Sequence, residues 1–145
     1  MRARFAGLHE LGADEMPRRR IVAGIAAVPA DVGLGDLPNE GGLDADAISY
    51  TKGCYLGQEV MARLKSMGQV RRRLLRVAGA GEKISALPVA LFLGARRVGE
   101  LRSAAPDGSG GFIGLALVSL MHLMPDATLA FEPNGAPVLR MVDKP

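Results

Sequence analysis

The chemistry this chain can offer concentrates in Lys52-Gly53-Cys54-Tyr55-Leu56-Gly57-Gln58-Glu59, which holds the only cysteine. A thiol becomes a nucleophile or a ligand as its thiolate, and nearby positive charge and a helix N-terminus both favour that form. Lys52 supplies a cation two positions away. From Gly57 onward Val60, Met61 and Leu64 recur at helical spacing, Arg63 and Lys65 fall between them, and Gly68 reads as the C-terminal stop. The sequence therefore predicts a helix that starts just after Cys54, so that both effects lower the thiol pKa from a free value of roughly 8.5. Gly53 and Gly57 leave backbone room for a ligand, and Gln58 and Glu59 bring an amide and a carboxylate to the first turn. The competing reading is an inert, buried cysteine at a tight turn, because free cysteine is among the most buried residue types. Spacing alone leaves both open.

The eight residues Lys52 to Glu59 resemble the Lys-Gly-Cys-Tyr-x-Gly-Gln-Glu signature of the YgfZ family, folate-binding relatives of the glycine-cleavage T-protein, an aminomethyltransferase. The resemblance runs over about residues 18–145. It implies tetrahydrofolate as cofactor, and an accessory role in iron–sulfur cluster assembly or repair and in linked tRNA modification, with a mitochondrial branch in related work. Cys54 occupies the position of the family's functional cysteine, and with Lys52 it forms the expected catalytic pair. Leu37-Pro38-Asn39-Glu40-Gly41-Gly42-Leu43 resembles the folate-side loop of the T-protein superfamily, where a glutamate recognises the pterin. A carboxylate can accept from a ring N–H and an exocyclic amine together, so Glu40 is the candidate. Arg20, Tyr55, Gln58 and Glu59 complete the expected cofactor-binding set.

The resemblance also marks departures. Where the family reads Arg-Ile-Glu-Ala-Gly, this chain has Arg20-Ile21-Val22-Ala23-Gly24, so Val22 replaces the usual glutamate. Family members are considerably longer, and this chain reads as their C-terminal portion. The catalytic aspartate of the T-protein belongs to the upstream body, so no residue here takes its role, and whether the chain is an enzyme stays open. Two other readings remain: a folate-dependent one-carbon transfer enzyme like the T-protein, whose chemistry needs no thiol, and a non-catalytic interaction or remnant barrel domain.

The elements that must position the motif are legible around it. Asp14 is a plausible N-cap and Pro17 fits a first turn, with Ile21, Val22 and Ile25 as the apolar face of a helix of about three turns ending near Gly24. Before it, Met1 to Leu11 is weakly patterned, with Phe5 and Leu8 available for packing. Residues 28–47 contain Pro29, Gly33, Gly35, Pro38, Gly41 and Gly42, which predicts an ordered loop without regular structure. Asp44 and Asp46 read as solvated or capping residues.

Beyond Gly68 the pattern becomes short extended runs: Val70–Val77, Val89–Leu93, Val98–Arg102, Phe112–Val118, Thr128–Phe131 and Val138–Val142. Pro106-Asp107-Gly108, Met124-Pro125-Asp126 and Pro133-Asn134-Gly135 separate several of them, and Gly94 marks a hairpin. Gly99 and Gly114 suggest bulges or close packing, and Met121 and Met124 read as core filler. The predicted fold class is α+β: a short helical and loop segment carrying the motif, followed by a small antiparallel β-barrel of about six strands. Residues 1–69 are read as the tail of the folate-binding body and residues 70–145 as the barrel domain. Open edges of a truncated sheet predict self-association.

Composition bounds these readings. At 145 residues and 48% hydrophobic content the chain suits one ordinary domain or two small ones. No apolar run approaches a membrane span and no signal-peptide core opens the chain, so a cytoplasmic setting is expected. One cysteine excludes an internal disulfide, and His9 and His122 are too distant from it in sequence to form a recognisable metal-ligand spacing, so no metal is expected. The formal charge of +3 is arginine-rich. Arg18-Arg19-Arg20 and Arg71-Arg72-Arg73 could meet a polyanion such as a polyglutamylated folate or an RNA backbone, a solvated face being the competing reading. With no tryptophan, four phenylalanines and two tyrosines there is no stacking platform for single strands, and direct nucleic-acid binding is not expected. Folate and proteins of iron–sulfur assembly are the partners the resemblance implies.

Overall fold

The computed structural model describes residues 7, 11–13, 15–44, 47–67, 70–81, 84, 86–124 and 126–143. Its six strands are β1 (Arg72–Ala80), β2 (Val89–Leu93), β3 (Arg96–Pro106), β4 (Gly111–Ser119), β5 (Thr128–Leu129) and β6 (Leu139–Met141). They form one sheet in the order β2-β3-β4-β1-β6-β5, antiparallel at every pairing. The two ends meet: Phe92 and Ala130 exchange both backbone hydrogen bonds at 2.9 Å, which curls the sheet into a small barrel. This is the predicted α+β barrel. The bridge also ties up part of the open edge on which self-association was expected.

Period-two patterning explains the inside of the barrel. Leu75 and Val77 of β1, Leu91 of β2, Val98 and Leu101 of β3 and Phe112, Ala116 and Val118 of β4 form the core with Leu129 and Leu139. The continuous apolar run of β4 has a separate cause, because both of its faces are covered. Leu115 packs outward with Ala105 beneath Ile21. Gly99 and Gly114 are close-packing positions, as expected. A Cβ at Gly114 would come within 2.6 Å of Leu101 Cδ1, one at Gly99 would collide with the Leu117 carbonyl, and register shifts lie beside both. Gly94 makes the predicted hairpin, with φ +60°.

Two helices precede the barrel: α1 (Glu15–Val22) and α2 (Gln58–Met67). α1 is shorter than the three turns expected. Gly24, at φ +69°, turns the chain, and the Ile25 amide folds back to the Arg20 carbonyl at 3.0 Å. Ile21 is wholly buried, but Val22 and Ile25 are exposed, so the predicted apolar face narrows to one residue. The described residues between the helices have no regular structure, as read from the breakers of residues 28–47. Met121 and Met124 are corrected: they flank the end of a short 3-10 turn (Leu120–His122) and point outward, 65% and 70% exposed. The expected roles of Asp14, Phe5, Leu8, His9, Asp46 and Gly68 lie outside the described residues.

Candidate functional site

The signature loop runs into α2 through Gly57, whose φ of +87° suits a residue without a Cβ and whose carbonyl accepts the Met61 amide at 3.1 Å. Cys54 lies three residues before Gly57 and is free and exposed. The burial expected in the competing reading is thereby removed. Its position ahead of the first turn also places it where the helix dipole is fading. Lys52 lies over a neighbouring ring. Its Nζ stands 4.8 Å from the centroid of the Tyr55 ring, a cation–π contact. Gln58 Nε2 donates to the Lys52 carbonyl at 3.5 Å, tying the loop to the helix, and Glu59 pairs with Arg63 on the exposed face at 3.1 Å.

Beside the signature, Leu37 and Pro38 face the start of α2 across a cleft of about 450 Å³, with Ile48, Leu56 and Val60 as apolar walls. Lys52 and Tyr55 line it as well. The Tyr55 hydroxyl is buried and has no hydrogen-bond partner. An unsatisfied buried donor costs about 1–3 kcal/mol, and the Asn39 Oδ1 is likewise buried without a partner. The volume falls in the range of small-molecule sites, roughly 300–1,000 Å³. A separate cavity at one end of the barrel, lined by Asp107, Gly111 and Arg140, holds none of the expected residues.

Glu40 and Arg20 turn the other way, toward the barrel. Glu40 is buried; Arg72 Nε donates to its Oε1 at 2.8 Å, and Arg72 Nη2 and the Leu37 amide donate to its Oε2 at 2.7 and 3.0 Å. Its carbonyl accepts the Leu74 amide of β1 at 2.6 Å. Asp36 is paired to Arg102 and, at 3.3 Å, to Arg72. Asp31 is wholly buried and accepts from Arg20, from the Ala27 amide at 2.8 Å and from Ser103 Oγ at 2.6 Å. Hydrogen bonding from Arg102 outweighs burial and holds the Asp36 carboxyl below its usual value, while Glu40 raises Arg72 and Asp36 raises Arg102.

These pairs fasten the loop of residues 31–40 to α1, β1 and β3. Both carboxylate oxygens of Glu40 are used in doing so, and the expected folate set is split: Tyr55 lines the cleft with Lys52, Gln58 stands behind the loop, Glu59 faces solvent, and Glu40 and Arg20 belong to the fastening. The arginine triplets are divided in the same way. Arg20 and Arg72 point inward, Arg18 reaches the Asp107 carbonyl at 3.3 Å and Arg19 pairs with Glu15 at 2.8 Å. Sequence reading missed Asp31, Asp36, Arg102 and Ser103. The one available signal was three acids at positions 31, 36 and 40 of a breaker-rich loop.

The chain is 35% identical to the mitochondrial iron–sulfur cluster assembly factor IBA57 homolog of Chaetomium globosum, over 68% of this chain and 29% of that protein. It is 33% identical to the tRNA-modifying protein YgfZ of Yersinia pestis, over 78% of this chain and 38% of that protein. The chain belongs to the YgfZ family. No family model matches it. It therefore spans well under half the length of the curated YgfZ and IBA57 relatives. Seen as a YgfZ-family segment, the structure sets the signature on a solvent-facing loop, the thiol outward and the tyrosine inward. Among the described residues no group of three His, Cys, Asp or Glu is placed to hold a metal ion, and no helix is long and apolar enough to cross a membrane.

Proposed function

We propose that this chain works as part of a folate-binding accessory protein of iron–sulfur cluster assembly or repair, and of the tRNA modification linked to it. The observation that carries the reading is a complete signature whose exposed Cys54 adjoins a cleft containing an unpartnered, buried tyrosine hydroxyl. The names of the relatives support the metabolic setting, and a cytoplasmic location goes with the bacterial branch of it. In this reading Cys54 offers its thiol to a partner protein and Lys52 lends positive charge to the loop. Residues 1–69 form the end of a larger folate-binding body, and residues 70–145 form the barrel.

In this reading tetrahydrofolate takes the cleft, with Leu37, Ile48 and Val60 as apolar walls for the pterin, and a turn of the Tyr55 ring brings its buried hydroxyl to the polar edge. Glu40 joins only if the pterin displaces Arg72, at the cost of a part-buried bidentate pair. That cost favours a second reading, in which Glu40 is purely structural and the chain is a non-catalytic interaction domain.

Thermal melting with and without tetrahydrofolate separates these. Bound folate should raise the melting temperature of the wild type and of Cys54→Ala by mass action, and Tyr55→Phe should lose most of the shift. If Glu40→Gln retains it, Glu40 belongs to the fastening alone. No shift in any folded variant would remove folate from the proposal and leave the interaction-domain reading.

A further inference from the structure

At one end of the barrel β1 and β3 begin and β2 and β4 end. The 3-10 turn Leu120–His122 carries the chain on from β4 at that end, its Leu120 amide donating to the Arg71 carbonyl at 2.9 Å. Leu120 and Leu123 pack on the barrel core, so the methionine that follows each is turned outward. Met121 and Met124 are therefore exposed on the rim.

Charge collects on the same rim. Arg73 stands opposite Val118 and continues the inward row of Leu75 and Val77, and Arg96 precedes Val98 by two residues in the inward row of β3. Both rows run out past the core here, and Arg71, Arg73 and Arg96 are all exposed. Only β4 lies between β1 and β3, so the strands bearing these arginines are about 10 Å apart. Elsewhere Arg20, Arg72, Arg76 and Arg102 are committed to carboxylates of the chain itself. The guanidinium groups of Arg71, Arg73 and Arg96 hold none among the described residues. Asp126, two residues beyond Met124, and Glu132, on the turn bonded to Gly94, are exposed and pair with none of them.

We propose that this rim is a docking surface for a protein partner that presents an acidic segment with apolar side chains. Arginine and methionine are enriched at protein interfaces. The guanidinium groups donate paired hydrogen bonds to carboxylates, and the flexible thioethers adapt to the apolar side chains between them. A second copy would bring its own net charge of +3 toward the same arginines, and an RNA strand would leave the methionines facing phosphate. Cys54, Tyr55 and Glu40 take no part, so rim docking and folate binding stand or fall separately.

Panning a random-peptide display library on the whole chain tests this, with Arg71→Ala/Arg73→Ala/Arg96→Ala used to discard peptides that bind elsewhere. The enriched peptides should carry several Asp or Glu residues beside Leu, Ile or Phe. In fluorescence anisotropy a synthetic peptide of enriched sequence should bind the wild type at least tenfold more tightly than the triple variant and at least fivefold more tightly than Met121→Ser/Met124→Ser. Arg140→Ala, which removes an equally unpaired guanidinium beside Ala78, should leave binding unchanged. Every substitution is at an exposed side chain, and melting temperatures check that the barrel is intact. No enrichment, an enriched set without acidic residues, or equal binding by all variants overturns the proposal. So does oligouridine that binds as tightly as the peptide and loses nothing in the methionine variant, which would assign the arginines to phosphate. A dimer of the chain that the triple variant dissolves, followed by sedimentation, would likewise overturn it and assign the rim to a second copy.

Discussion

Cys54 and Tyr55 are neighbours with opposite fates: the thiol stands in solvent, while the phenol ring lies under Lys52 with its hydroxyl buried and unpartnered. The motif told the sequence reader that this cysteine precedes a helix. It could not tell whether the thiol is covered, because burial depends on what the rest of the chain lays over a residue. The pairing of Lys52 was hidden for a related reason. Its spacing from Cys54 suggested charge tuning, and the ring three positions on gives the ammonium a cation–π partner that the spacing did not announce. A stability prediction follows for Tyr55. Removing an unsatisfied hydroxyl while keeping the ring deletes a desolvation cost, so Tyr55→Phe should stabilise the folate-free protein by about 1 kcal/mol in urea unfolding. A loss of similar size would mean that the hydroxyl has a partner after all.

At the scale of elements, the loop of residues 31–40 is the feature least visible beforehand. Its glycines and prolines predicted the lack of regular structure, but its carboxylates find their arginines far along the chain, Glu40 at Arg72 and Asp36 at Arg102. Such long-range pairs leave no periodic trace. Arg102 is 12% exposed and Asp36 8%, so Arg102→Ala would leave a buried carboxylate half-unpaired and should cost about 3 kcal/mol. Chemical unfolding would show it, and a change under about 1 kcal/mol would mean the pair is screened like a surface one. The same pair sets an acid limit. Because Asp36 titrates below its ordinary value of 3.8 when folded, the unfolded chain binds the proton more readily. Its stabilisation is complete above that value and is lost as pH falls through the lower folded one. The melting temperature of the wild type should therefore drop more steeply below about pH 4 than that of Asp36→Asn, and parallel curves would count against the pairing.

For the whole molecule, the six strands were legible because alternation and turn residues are local signals, whereas their order was not. β1 pairs with β4 and β6 across intervening hairpins, and closure rests on the bridge from Phe92 to Ala130 with the Asn134 amide donating to the Gly94 carbonyl at 2.8 Å beside it. The result is a molecule with two levels of stability. Among the described residues the barrel holds most of the buried apolar side chains, and α1 and the loop of residues 31–40 are held to it by ion pairs and by Ile21. Native-state amide exchange should resolve the two. The β1 and β4 amides should open only with global unfolding, and those of α2 through local opening of about 0–2 kcal/mol. If α2 proved as protected as β4 in the isolated chain, its apolar face would already have a partner within this molecule. If it opens locally, as its exposure implies, the loop carrying Cys54 moves with it, and the rate at which the exposed thiol meets an alkylating reagent should vary with conditions that shift that opening while the barrel stays as it is.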